Sequence, residues 1–197
     1  PPRSTLDRSS AAADVYKRQG PGNTLMDHWF RQHQTGAFDE NGTWAQSGEY
    51  LPKLLSTLLE YNYFSRPLPK STGLEEFNLD WLNAYLSGDE RPEDIQATLV
   101  ELTAESISQS IKTNAPATNA IYLCGGGANN KCLVDRLDQR LTGLPLYTSD
   151  RIGLPPDWVE AVAFAWLAKE RLERRPTNYP EVTGSSRKLA LGAVYLG

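Results

Sequence analysis

Three successive glycines stand in the stretch "NAIYLCGGGANNKCLVDRLDQRL". An apolar run of strand character precedes them, and Leu133, Leu137 and Leu141 follow at helical spacing. Residues without a side chain let the backbone come close to a ligand. The N–H groups exposed where a helix begins favour phosphate or another anion. Gly125, Gly126 and Gly127, with Asn129 beside them, are therefore candidates for holding a nucleotide. The same residues would also serve as a tight strand-to-helix turn with no ligand. A dinucleotide fingerprint needs G-x-G-x-x-G; Gly125 and Gly127 meet it, but Asn130 stands where the third glycine belongs. Asp150, at the end of the next strand, would be the ribose acid of that arrangement. No P-loop is present: "PKSTG" at 69–73 follows no strand and lacks the preceding glycines.

A second glycine turn, "GPGN" at 20–23, leads into "TLMDHWFRQH", which reads as a short helix. Gly20, Gly22 and Asn23 are its candidate ligand residues. Lys70 and Ser71 are polar candidates beside Thr72 and Glu75, which have the spacing of a capping box for the next helix. Glu160 lies among apolar neighbours in "DWVEAVAFAWLAKERL", a segment so apolar around its girth that burial is expected. A buried carboxylate needs a partner, so Glu160 is a candidate ligand contact. It also fits the N3 position of a helix capped by Asp157. His28 and His33 are spaced too far round a helix for an HxxxH metal pair, and no Ser-His-Asp or Cys-His arrangement can be assembled.

The elements that must position these residues follow from periodicity. "YLPKLLSTLLEYNYF" places Leu51, Leu54, Leu55, Leu58 and Leu59 on one helical stripe. A long helix is expected from Pro92, a favourable first-turn residue, to about Lys112, with Ile95, Leu99, Leu102, Ile107 and Ile111 inward. "TGAFDENGTWAQSGEY" at 35–50 reads as a loop. "GLPLYTSD" reads as a second strand and "RKLALGAVYLG" as a final one. Strands alternating with helices make an α/β domain. Residues 1–19 have no hydrophobic periodicity and read as a disordered leader, and residues 20–197 as the folded part.

The balance of the 197 residues excludes several classes. A net charge of −4 argues against non-specific nucleic-acid binding, which needs a basic surface. No apolar run approaches the length of a membrane span. Cys124 and Cys132 are too few for a disulfide framework and read as reduced, buried thiols of a cytoplasmic protein.

Several stretches together carry a resemblance: "GPGNTLMDHW", "FDENGTWAQSG", "PKSTGLEEFNLDWL", "ATLVELTAESI", "YLCGGGANNKCLVDRL", "DWVEAVAFAWLA" and "PTNYPEVTGSSRKLALGAVYLG". In order, they resemble the second half of anhydro-N-acetylmuramic acid kinases. The resemblance implies the actin/hexokinase/Hsp70 fold, here as one ribonuclease-H-like lobe with helical insertions and the N-terminal lobe absent. It implies ATP and Mg²⁺ as cofactors and a small-molecule sugar as substrate. Family members open a 1,6-anhydro ring with water and phosphorylate O6 in cell-wall recycling.

By the same resemblance, Gly125, Gly126 and Gly127 form the adenosine-side turn, and Gly20, Gly22 and Asn23 belong to the second phosphate turn. Lys70, Ser71 and Glu160 become candidate sugar contacts. The family's phosphate turn reads Asp-Thr-Gly-Pro-Gly-Asn, with the aspartate as general base, whereas Arg18 and Gln19 precede Gly20 here. An arginine cannot accept a proton at physiological pH. The expectation is an inactive lobe in which residues 9–19 resemble a translated cloning tail. A non-catalytic nucleotide-binding or dimerising module is the alternative, and homodimerisation stays open.

Overall fold

A computed structural model describes residues 20–67, 70, 72–178, 180 and 185–195. The leader with Arg18, together with Ser71 and the "VTG" at 182–184, lies outside the described residues. The long helix expected from Pro92 is the axis of the fold. Helix α6 (Pro92–Asn114) begins with proline at its first position and carries Glu93 and Asp94 in its first turn, where carboxylates suit the helix dipole. Asp94 accepts two hydrogen bonds from Arg91, at 2.8 and 2.7 Å, and one from the Glu49 N–H at 2.8 Å.

Around α6 stand α1 (Thr24–His33), α2 (Thr43–Ser47) and α3 (Pro52–Leu59). Two short helices, α4 (Asn62–Ser65) and α5 (Leu79–Asn83), complete this helical part. Leu25, Met26 and Trp29 of α1, Leu54 and Leu58 of α3, and Leu99 and Leu102 of α6 share one core. The Trp29 indole donates to the Pro92 carbonyl at 2.9 Å, which pins α1 to the start of α6.

The α/β part follows. Strand β1 (Ile121–Leu123) leads through α7 (Lys131–Arg140) to β2 (Leu146–Thr148), and the strands pair in parallel with Tyr122 opposite Tyr147. Ile121, Leu123 and Leu146 pack on the core. On the other face the Tyr122 and Tyr147 rings lie 5.6 Å apart, and Arg151 stacks 3.7 Å from the Tyr147 ring. Cys132, Leu133, Leu137 and Leu141 bury the inner side of α7. Buried Glu101 of α6 pairs with Arg136 at 2.8 Å and with Arg140. The chain is thus α/β, mostly helical, with a small parallel sheet.

Several expectations need correction. Residues 35–50 are not an open loop: a 3-10 turn (Glu40–Gly42) runs into α2. The Asp39 carboxylate takes the N–H groups of Trp44 and Ala45, both at 2.9 Å, and so starts the helix. Thr72 and Glu75 form no capping box. The Thr72 hydroxyl bonds Glu76 at 3.0 Å, and Asn78 caps α5 through the Trp81 N–H. Here the Gly73 carbonyl closes a separate turn before the helix begins.

Helix α8 (Val159–Leu172), expected to be buried, is exposed along almost its whole surface. Residues 187–195 form no strand. Instead the Leu189 carbonyl accepts from the Thr177 N–H at 3.0 Å, and the Arg187 carbonyl accepts from the Asn178 amide at 2.8 Å. Cys124 is exposed and only Cys132 is buried; neither is in a disulfide.

Candidate functional site

Gly125 adopts φ +70°, ψ −177°, a conformation that residues with a side chain avoid. This lets β1 turn sharply into a 3-10 turn (Gly126–Asn129) and then into α7. The Gly125 N–H is tied to the Pro156 carbonyl at 3.0 Å. Asn130 caps α7 by accepting from the Leu133 N–H at 3.0 Å. Among the described residues, the N–H groups of Gly126 and Gly127 have no hydrogen-bond partner. Two free amide donors at a helix entrance form an anion cradle.

The second turn sits against the first. Gly22 has φ +56°, and its carbonyl accepts from Thr103 Oγ1 at 3.2 Å, which fixes the turn on α6. Asn23 precedes α1, but its side chain makes no cap bond there. It reaches across to the glycine turn instead. A Cβ added at Gly127 would lie 3.0 Å from Asn23 Oδ1, and one at Gly126 would lie 3.7 Å from Nδ2. The missing side chain at 127 is therefore what lets the two turns come this close, while a Cβ at 126 would make an ordinary contact.

Between them opens a cleft of about 470 Å³. Asn23, Asp27, Asp39, Gly126, Asn129 and Asp157 are among its walls. Burial pushes the Asp27 carboxyl above the usual range, a shift that Arg31 and His28 partly offset. Asp157 does not cap α8. It precedes that helix, and its Oδ1 accepts from Asn129 Nδ2 at 3.3 Å. The Asp39 oxygens are already used by α2. A bare triphosphate would meet repulsion from these carboxylates, whereas a phosphate chain carrying a divalent cation would not. Among the described residues no cluster could hold a metal ion by itself.

The sequence-derived candidates separate into groups. Asn23, Gly126 and Asn129 line the cleft directly. Gly125 and Gly127 flank Gly126 in the same turn without lining the cleft themselves. Gly20 and Gly22 line a neighbouring hollow with Thr72 and Gly73. A side chain at Gly20 would come within 2.9 Å of the Ser106 hydroxyl. Lys70 lies apart from the cleft. Its ammonium donates to the carbonyls of Tyr63 and Phe64, each at 2.9 Å, and rests over the Tyr63 ring. Burial, with Arg66 nearby, lowers the Lys70 pKa.

Glu160 is exposed on the first turn of α8, so the expectation of a buried carboxylate seeking a partner fails. Asp150 is bonded by Thr148 and is not among the cleft residues, which removes the ribose acid of the dinucleotide reading. Sequence reasoning passed over Asp27 and the Asn129–Asp157 pair. Asp27 stands one helical turn after Asn23, and that spacing was the available signal. The meeting of residues 28 positions apart had none.

The family model for anhydro-N-acetylmuramic acid kinase matches residues 10–197. The anhydro-N-acetylmuramic acid kinase of Nitrosomonas europaea is 51% identical over 176 residues, covering 89% of this chain and 48% of that one. That of Coxiella burnetii is 49% identical over 193 residues, covering 98% and 52%. That of Saccharophagus degradans is 48% identical over 179 residues, covering 89% and 48%. The chain spans about half the length of the curated relatives it matches.

Proposed function

Since the chain belongs to the anhydro-N-acetylmuramic acid kinase family, we propose that the cleft between its two glycine turns is the nucleotide side of an ATP-dependent anhydro-sugar kinase. The observation that carries this reading is the Asn23 side chain seated on Gly127, which joins the two turns into one cradle. The free N–H groups of Gly126 and Gly127 bind oxygen of the nucleotide. Asn129 and Asp157 offer polar groups for its ribose. Asp27 and Asp157 would hold Mg²⁺ together with the phosphates. When bound, Mg²⁺-ATP supplies the phosphoryl group and neutralises charge on it. The wider frame is the two-lobed actin/hexokinase/Hsp70 fold acting in the cytoplasm, with this chain forming the ATP side.

The family reaction adds water at the anomeric carbon, opens the 1,6-anhydro bond and phosphorylates the freed O6. The attacking water must lose a proton, and a positioned base contributes about 10²–10⁴-fold to such a step. Arg18 occupies the position expected for that base and cannot accept the proton. Phosphoryl transfer also depends on holding both substrates in line. Glu160, Lys70 and Ser71 are the candidates here for the sugar; Ser71 lies outside the described residues, and neither Lys70 nor Glu160 lines the cleft. We therefore expect nucleotide binding without turnover.

Calorimetry with ATP, with and without Mg²⁺, tests the binding. The 197-residue chain should bind in a Mg²⁺-dependent way. Gly126→Val, which puts a branched side chain into the cradle, should weaken binding at least about tenfold with thermal unfolding unchanged. Equal binding by the variant, or no binding by the parent chain, would refute the site. Mass spectrometry for the 6-phosphate of N-acetylmuramic acid tests the second part: ATP-dependent product above a no-enzyme control would show that the base is dispensable.

A further inference from the structure

We propose that Phe38 is the platform on which the nucleotide base stacks, and that the Glu40 carboxylate near it selects a base carrying an exocyclic amine. This rests on the nucleotide reading of the cleft and adds recognition of the base to it. Among the described residues that line the cleft, Phe38 is the only aromatic one. It is 57% exposed, although the next residue, Asp39, is buried. A single exposed aromatic is ordinary on a protein surface. Phe38 differs in being fixed on both sides. Before it, Arg31 donates to the Ala37 carbonyl at 2.9 Å. After it, the Asp39 carboxylate is held by the Trp44 and Ala45 N–H groups, and the Asp39 carbonyl accepts from the Gly42 N–H at 3.0 Å. Gly42 is pressed against the start of α7: a Cβ there would lie 2.4 Å from Cys132 Cβ and 2.5 Å from Asn130 Oδ1. The segment that carries Phe38 is thus seated on the helix that follows the glycine turn. An apolar ring is held in water at a polar cleft, and little backbone freedom remains to be lost when a flat ligand covers it.

The ring alone does not choose a base, because every base has a π-face to stack. Discrimination has to come from hydrogen bonds at the base edge. Glu40 lines the same cleft. Its backbone carbonyl accepts from the Thr43 hydroxyl at 3.1 Å, while its carboxylate has no hydrogen-bond partner among the described residues. An ionised carboxylate accepts hydrogen bonds and donates none. It therefore favours an amino edge, as in adenine. It repels the carbonyl oxygen that hypoxanthine carries at the same ring position. The cleft is polarised in the same sense. Its free donors are the Gly126 and Gly127 N–H groups, which suit the oxygen atoms of the nucleotide. The carboxylate beside Phe38 in the chain is left for the base.

The test is calorimetry of the 197-residue chain with Mg²⁺ and three probes: ATP, inosine triphosphate, and tripolyphosphate, which has no base. Phe38→Ala should weaken ATP binding about 5- to 150-fold. Phe38→Tyr, which keeps the stacking face, should bind ATP as the parent does. Tripolyphosphate should bind the parent and Phe38→Ala alike. The parent should bind inosine triphosphate at least about tenfold more weakly than ATP. Glu40→Gln, whose amide both donates and accepts, should reduce that preference. Both side chains are exposed, so thermal unfolding should be the same in all variants. ATP binding indifferent to Phe38→Ala, or an equal loss with tripolyphosphate, would overturn the stacking role while the nucleotide site stood. Equal binding of ATP and inosine triphosphate, or a preference that Glu40→Gln leaves intact, would overturn the role of Glu40. A parent chain that binds neither ATP nor tripolyphosphate would end the nucleotide reading itself, and this inference with it.

Discussion

Helices α6 and α8 meet opposite fates, and their composition does not explain why. Helix α8 is the more apolar of the two and stands in water. Helix α6 carries Asp94, Gln96, Thr98, Glu101, Thr103 and Ser106 and is buried along most of its length. Several polar residues of α6 are answered by neighbours, although the Gln96 amide and the Ser108 hydroxyl are buried without a hydrogen-bond partner among the described residues. Thr98 Oγ1 accepts from the Leu51 N–H at 2.9 Å and donates to the Asp94 carbonyl at 2.7 Å. Glu101 sits between two arginines of α7. Burial is decided by which elements are available to pack, and a helix's own pattern states only what it needs.

The sharpest test of this contrast is truncation on each helix. Leu102→Ala, at a fully buried position of α6, should cost about 2–5 kcal/mol by loss of transfer energy and creation of a cavity. Phe164→Ser on α8 should change stability by no more than about 0.5 kcal/mol, since no packing is lost. Urea denaturation of both variants gives the comparison. A Phe164 variant as unstable as the Leu102 variant would mean that α8 is part of the core after all.

A smaller effect is expected where charge, not volume, joins the two parts. Glu101→Gln keeps the shape but leaves Arg136 with a neutral partner and Arg140 with Glu105 alone, at 2.9 Å. The arginines can turn partly to solvent, so the loss should be about 1–3 kcal/mol. The corresponding pair beside α8, Glu170 with Arg175, lies within one local stretch. Glu170→Gln should therefore leave the global unfolding midpoint in place. A loss at Glu101 below the error of the melt would show that the Glu101 charge does not help to hold α7 on α6.

Sequence reading succeeded where an element's signal and its partner lay in the same pattern. Pro92 and the inward Ile95, Leu99 and Leu102 placed α6 closely. The glycine run placed the β1–α7 turn, and Leu133, Leu137 and Leu141 gave its buried side. It failed where the deciding partner was remote or missing. Nothing near Asp39 says that its carboxylate will cap α2. The apolar girth of α8 says buried and does not name what buries it. The same limit applies to the cleft. Its glycines were legible as a turn, but the reach of Asn23 across to Gly127 depends on α6 holding Gly22 through Thr103, a contact 81 positions apart. Lys70 and Glu160 were singled out as chemical residue types. Tertiary structure gives the first to backbone carbonyls and leaves the second in solvent.

The smallest effect lies at the entrance to α6, where a titrating group should distinguish the packed helix from the bare one. The Glu90 carboxylate accepts from the Ser87 N–H at 3.0 Å, the Ser87 hydroxyl at 2.9 Å and the Gly88 N–H at 2.9 Å. These bonds, with the Ser87 N–H foremost, favour the charged form and hold the Glu90 pKa at about 2, below an ordinary glutamate value of 4.5. The folded state thus binds this proton less readily than the unfolded chain does. The stabilisation is fully present above about pH 4.5 and is lost as the pH falls from there through about 2. The group is partly open to water, so the gain is discounted to about 1 kcal/mol. Glu90→Gln should therefore be less stable than the parent at pH 7 by that amount, and the two should converge as the pH approaches 2. Glu170 is also held low by Arg175, but it sits on α8, outside the core. Its titration should alter α8 without shifting the global transition. Urea midpoints of the parent, Glu90→Gln and Glu170→Gln between pH 7 and 2 read both sites. A constant gap between Glu90→Gln and the parent across the whole range would show that its three bonds stabilise the fold by geometry, not by charge. A pH-dependent gap of equal size for Glu170→Gln would show that α8 unfolds with α6, and the division between the packed and the bare helix would fall.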